Sequence, residues 1–273
     1  MTRPKQTATR TSPASTVGLT LDAVLARLER HAAVTGLLQI GSASQPGFSQ
    51  SSDYDLVIVL REAAAAWYVG VTWIDQRLTD LIFVADAQLS RLADLDAPIT
   101  PGHELAPMVP WFQTGRIRYD PDGRLQRLQA KLQEIAWIGS AGEDTVHGAW
   151  FAINYNLAQT IRMAASADPL YRATAGLRMA VYGHSDIWFG YFTLRRLCWR
   201  GDKAAIAYLR EHDPAFLAAF QRFVAEPSFD AKLDLYGQAA ALATAPAGGR
   251  WSAHSTAMNV EEALAVWQRL LDG

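Results

Sequence analysis

Aspartate is scarce inside β-strands, because its short polar side chain competes with the backbone ladder and suits turns better. Yet Asp53 and Asp55 head the apolar run Leu56-Val57-Ile58-Val59-Leu60, and Asp80 sits within Leu78-Thr79-Asp80-Leu81-Ile82. Strand side chains alternate between faces, so Asp53 and Asp55 project from the same side. Two carboxylates that close repel each other unless a cation lies between them. A divalent metal is the economical explanation of the pair. The dipeptide Gly41-Ser42, at the end of the run Gly36-Leu37-Leu38-Gln39-Ile40, precedes them. Singly, each feature has a plainer use. Asp53 can cap a turn after Ser51-Ser52, Gly41-Ser42 can be a simple strand exit, and Asp80 can be an edge-strand charge.

The elements that must position these residues can be read from periodicity. Leu21, Val24, Leu25 and Leu28 predict a helix over 20–33, closed by Gly36. A short buried strand over 37–40 follows, then a loop containing Gly, Ser and Pro, then a second strand over 53–60. The alanines of 62–67 suggest one or two helical turns. Strands are expected over 69–74 and 77–84, joined by a tight turn at Asp75-Gln76, with Leu78, Asp80, Ile82 and Val84 sharing one face. A strand over 116–119, the turn Asp120-Pro121-Asp122-Gly123 and a helix over 124–138 complete this part. Beyond Gly139-Ser140-Ala141-Gly142 the pattern becomes helical, over 143–165, 169–182, 185–199, 202–211, 214–224, about 229–243 and 260–271, with a loop over 244–254. The expected class is α+β: a mixed sheet with flanking helices, followed by an all-α bundle. The expected divisions are a disordered tail over 1–17, a catalytic domain over 18–139 and a helical domain over 140–273.

Composition narrows the function. The 273 residues, half of them apolar, give ample material for buried cores. A net charge of −2 and the absence of Lys/Arg clusters disfavour nucleic acid as a partner. No apolar run reaches membrane-spanning length. The basic, Ser/Thr/Pro-containing start lacks the apolar segment of a secretory signal, so a cytoplasmic location is expected. Cys198 is the sequence's one cysteine, which excludes an internal disulfide and a cysteine-rich zinc site. Its apolar neighbours Leu197 and Trp199 suggest a packed thiol.

In this order, and on these expected strands, Gly41-Ser42, Asp53-x-Asp55 and Asp80 resemble the motif of the DNA-polymerase-β-type nucleotidyltransferase superfamily, over about 20–138. The resemblance implies a polymerase-β-like domain in which Asp53, Asp55 and Asp80 are catalytic and bind Mg²⁺. It also implies that Gly41, Ser42 and Ser52 contact the nucleotide, with ATP or another NTP as co-substrate. Magnesium suits such a site because it prefers carboxylate and phosphate oxygens. One ion would steady the pyrophosphate, and a second, shared with Asp80, would activate an acceptor hydroxyl for in-line attack on the α-phosphorus. In some related aminoglycoside enzymes the third carboxylate is the general base instead. No Walker-type sequence is present. The helical half is expected to recognise a hydroxyl-bearing small molecule, an aminoglycoside-like antibiotic being the favoured acceptor.

Within that half, Glu143 and Asp144 suit a helix start, yet also suit a cationic acceptor or a general base. His147 and Asn154 share a helix face, with Tyr155 beside them. Trp150, Trp188, Trp199, Tyr182, Tyr191 and Phe189 are expected mainly in the core. The segment from Arg178 to His184 resembles the motif of HEPN ribonucleases, although Gly183 ending one helix and Ser185 capping the next is the simpler reading. Two other functions are compatible with the same motif: a protein-modifying nucleotidyltransferase of toxin–antitoxin type, and a catalytically silent nucleotide-binding module.

Overall fold

A computed structural model describes residues 19–41, 53–63, 67–252 and 256–272. Ser42 and Ser52 lie outside them. The chain divides into two compact units, Met1–Trp137 and Ile138–Gly273. The fold is α+β, as expected.

The first unit is built on a five-stranded mixed sheet: β1 (Val34–Ile40), β2 (Tyr54–Leu60), β3 (Trp67–Ile74), β4 (Arg77–Ala85) and β5 (Arg116–Tyr119), in the order β3-β4-β2-β1-β5. β2 and β4 run parallel and the other neighbours antiparallel. The turn between β3 and β4 is the expected one. Asp75 and Gln76 have φ of 53° and 60°, the left-handed pair that a two-residue hairpin needs to match strand twist.

Helices cover the two faces unequally. α1 (Leu21–Glu29) lays Leu21, Val24, Leu25 and Leu28 against Tyr54, Leu56 and Ile58 of β2 and Leu37 of β1. α2 (Asp86–Ala93) and α3 (Met108–Thr114) pack on the other face, against β2 and β4 and against β1 respectively. There α4 (Arg124–Glu134) approaches so closely that a Cβ on Gly36 would lie 2.8 Å from Leu125. This packing buries Val57, Val59 and Val84 completely but leaves Asp53, Asp55 and Asp80, at the opposite ends of β2 and β4, half-buried.

Several expected boundaries shift. α1 ends at Glu29 and β1 begins at Val34, because a turn at 31–33 is closed by the His31 carbonyl accepting from Val34. The expected helix over 62–67 is not formed at its described ends. Glu62 and Ala63 are not helical, and Trp67 already opens β3. α4 stops at Glu134, where Ile135 turns extended. Neither α2 nor α3 was expected from periodicity: both are short, and α3 carries Pro110 in its first turn, where proline is tolerated.

In the second unit the elements past residue 142 are all helical: α5 (Glu143–Ala164), α6 (Pro169–Tyr182), α7 (Phe189–Leu194), α8 (Asp202–His212), α9 (Pro214–Ala225), α10 (Phe229–Thr244) and α11 (Glu261–Asp272). The helix break expected at Gly183 does not occur. The chain continues through a wide π turn, Gly183–Trp188, into α7. Gly183 is helical there, and its role is steric, since a Cβ would lie 2.6 Å from the Phe223 ring. The bundle core is aromatic, with Tyr191 stacked on Phe216 at 4.2 Å and Trp188 tilted against Phe220 at 4.7 Å. Cys198, expected to be packed, is exposed.

Candidate active site

The register of the sheet decides which carboxylates are neighbours. Asp55 of β2 is the direct partner of Asp80 in the parallel pair, and paired residues project from the same face. Asp53 stands just before β2, two residues from Asp55, on the same alternation. On the other flank Asp55 pairs with Ile40, the last residue of β1, and Gly41 follows. Gly41 turns left-handed at φ 71°, and a Cβ there would overlap Oδ2 of Asp55. A glycine is therefore required twice over: by the backbone conformation and by the carboxylate packed against it.

One row thus crosses the sheet from Ile40 through Asp55 to Asp80, with Gly41 packed at the Asp55 carboxylate. It lies on the face that α2, α3 and α4 cover further along, at the strand ends where Asp55 and Asp80 stay half-buried. Hard cations prefer carboxylate oxygens, so the donor set suits Mg²⁺. Among the described residues no three His, Cys, Asp or Glu side chains form a ready coordination group. Magnesium does not need one. It retains waters and takes substrate phosphate oxygens, so one or two protein carboxylates are enough to hold it.

No protein-family model matches the chain, and no curated protein matches it. Among solved structures the chain is similar to a nucleotidyltransferase-like protein from Exiguobacterium sibiricum. The two share 14% identity with a TM-score of 0.41, over 79% of this chain and 70% of that one.

Other polar residues of the first unit support the scaffold. Asp86, at the start of α2, accepts from Thr35 of β1 at 3.1 Å and from Arg124 Nη1 of α4 at 3.0 Å. The Arg124 guanidinium, hydrogen-bonded to it, holds the Asp86 carboxyl below the usual carboxylate range. Asp75 in the hairpin turn accepts from the Leu21 backbone at 3.1 Å and from the Tyr54 hydroxyl at 3.4 Å, fastening α1 to β2. Burial, and then the nearby Asp75 charge, push the Tyr54 hydroxyl up.

In the helical unit an open cleft of about 750 Å³ is lined by Glu143, Asp144, His147, Trp150 and Arg196 among others. Glu143 is ion-paired with Arg196. His147 reaches the Met258 carbonyl at 2.7 Å. Asn154 is buried, accepting from Trp251 N–H at 3.0 Å and donating to the Trp150 carbonyl at 3.0 Å, so it organises the segment after α10. Tyr155 is exposed and stacked on Phe151. Arg178 donates to Asn156 at 2.9 Å and to Thr160 at 3.3 Å, while exposed His184 faces Asp202 at 3.4 Å. The two ends of the ribonuclease-like segment thus serve separate structural contacts.

Proposed function

We propose that the chain is a Mg²⁺-dependent nucleotidyltransferase that moves a nucleoside monophosphate, AMP from ATP being the expected donor, onto a hydroxyl of a small molecule. An aminoglycoside-like antibiotic is the acceptor class that the motif resemblance suggests. The observation that carries the reading is the pairing of Asp55 with Asp80 at the half-buried end of one sheet face, with Gly41 packed against Asp55.

In this reading Asp53 and Asp55 hold the metal. Bound Mg²⁺ would supply charge neutralisation for the triphosphate and the departing pyrophosphate. Gly41 lets the backbone approach the phosphates, and the hydroxyls of Ser42 and Ser52 donate to phosphate oxygens. Asp80, on the far side of Asp55 from Gly41, orients the acceptor hydroxyl or takes its proton. The acceptor oxygen bonds to the α-phosphorus as the bond to the β-phosphate oxygen breaks and pyrophosphate leaves.

Pyrophosphate release from each NTP with a panel of aminoglycosides and related polyols tests this. Asp53→Asn and Asp55→Asn should each reduce turnover by about a hundredfold or more while preserving the circular dichroism spectrum. Unchanged turnover in either variant removes the metal assignment. Magnesium-dependent ATP binding without pyrophosphate release across the panel would leave a catalytically silent nucleotide-binding module.

A further inference from the structure

The row that carries the carboxylates does not end at Asp80. Val71 of the outermost strand, β3, is the direct partner of Asp80, so Val71, Asp80 and Asp55 face the same way on three adjacent strands. Trp73 pairs with Leu78 in the next row and Val69 with Ile82 in the row before. Four of these side chains are open to solvent: Val71 is 63% exposed, Trp73 56%, Val69 51% and Leu78 42%, whereas Ile82 is only 7% exposed. Single exposed apolar residues need no explanation, but a contiguous group of four on one sheet face does.

Strand order decides what such a wall would meet. Gly41, the candidate phosphate contact, lies on the β1 side of Asp55, while Val71 and Trp73 lie on the β3 side of Asp80. Leu78 lies on Asp80's own strand, and Val69, Val71 and Trp73 lie one strand, roughly 4.8 Å, beyond it and two beyond Asp55. A molecule offering a hydroxyl at Asp80 must lie along this wall, on the side away from the triphosphate.

Resting on the nucleotidyltransferase reading, but replacing the aminoglycoside-like acceptor that the motif resemblance alone suggests, we infer that Trp73 and Val71 are specificity-determining residues, and that the acceptor carries an apolar ring or hydrocarbon face beside the hydroxyl it presents. The transfer step is unchanged: the acceptor oxygen bonds to the α-phosphorus as the bond to the β-phosphate oxygen breaks, pyrophosphate departs, and Asp80 orients the acceptor hydroxyl or takes its proton. What the wall adds is selection. A purely polar, polycationic acceptor leaves Trp73, Val71 and Leu78 in water, whereas an aryl or alkyl face covers them.

Two probes with the same hydroxyls separate these cases: para-nitrophenyl β-glucoside and methyl β-glucoside. Their binding to the full chain is measured by calorimetry with Mg²⁺ and a non-hydrolysable ATP analogue, alongside binding of the analogue itself. The aryl glucoside should bind about tenfold tighter than the methyl glucoside. Trp73→Ala, and separately Val71→Ser, should narrow that ratio towards one without changing affinity for the analogue. Equal binding of the two probes, binding of neither, or a ratio unaffected by Trp73→Ala overturns the inference. So does a wild-type dimer that becomes a monomer in Trp73→Ala by light scattering, which would assign the wall to a second copy of the chain. Failure of the analogue to bind with Mg²⁺ defeats instead the nucleotidyltransferase reading on which the inference rests.

Discussion

At Gly41 a left-handed turn brings the backbone against the Asp55 carboxylate with no room for a side chain. Gly41→Ala therefore has two consequences: backbone strain of about 1 kcal/mol and displacement of Asp55. The expected outcome is a loss of Mg²⁺-dependent nucleotide binding much larger than the loss of stability, read by titration of the analogue beside urea unfolding. A fall in stability with nucleotide affinity intact would mean that Asp55 is not part of the site. That Gly41, Asp55 and Asp80 come together was legible in the sequence, because aspartate opposes strand propensity and must be explained. The exposed wall was not singled out, although the signal was there: a two-residue loop at Asp75-Gln76 fixes Val71 opposite Asp80. The alternation of Leu78, Asp80 and Ile82 was recognised, and so was the neighbouring strand over 69–74, but not that Val71 and Trp73 continue the same face.

Among the elements, the junction at Asp86 links β1, α2 and α4 through Thr35 and Arg124. Because Arg124 lowers the Asp86 pKa, this junction stabilises the fold above the unfolded carboxyl value of about 3.9 and ceases to do so as pH falls through the lower folded value. Asp86→Asn should therefore reduce stability at neutral pH, and its deficit relative to wild type should shrink as pH drops below about 4. Urea midpoints across that range test the sign; a deficit that grows towards acid pH would contradict it. Neither α2 nor the Asp86 junction was visible in periodicity. Eight residues give little helical repeat, and Arg124 is separated from Asp86 by 38 positions. α4 was legible because its apolar stripe, Leu125, Leu128 and Leu132, repeats at helical spacing, and α5 because its helical pattern runs over many turns. Gly183 misled for the opposite reason. Its sequence context reads as a helix end, but tertiary contact with Phe223 is what demands the glycine.

For the molecule as a whole, each of the two units has its own core: an α1-backed sheet in one, an aromatic bundle in the other. Gly183→Ala forces a methyl group towards the Phe223 ring, and overpacking of this kind costs about 1–3 kcal/mol. The loss should appear in the near-ultraviolet signal of the aromatic bundle, whereas ATP-analogue binding in the sheet unit persists at temperatures below the shifted transition. Simultaneous loss of both signals would show that the two cores unfold together. The division into a mixed half and a helical half was legible from the change in periodicity near residue 140, since period-two runs disappear there.

Cys198 is exposed, and it is the sequence's one cysteine. The native polypeptide consequently offers a single address for maleimide chemistry, with no engineering needed to remove competing sulfurs. A dye or spin label placed there occupies one defined position on the bundle. Preparations without reductant acquire, at the same atom, a route to covalently linked pairs of chains.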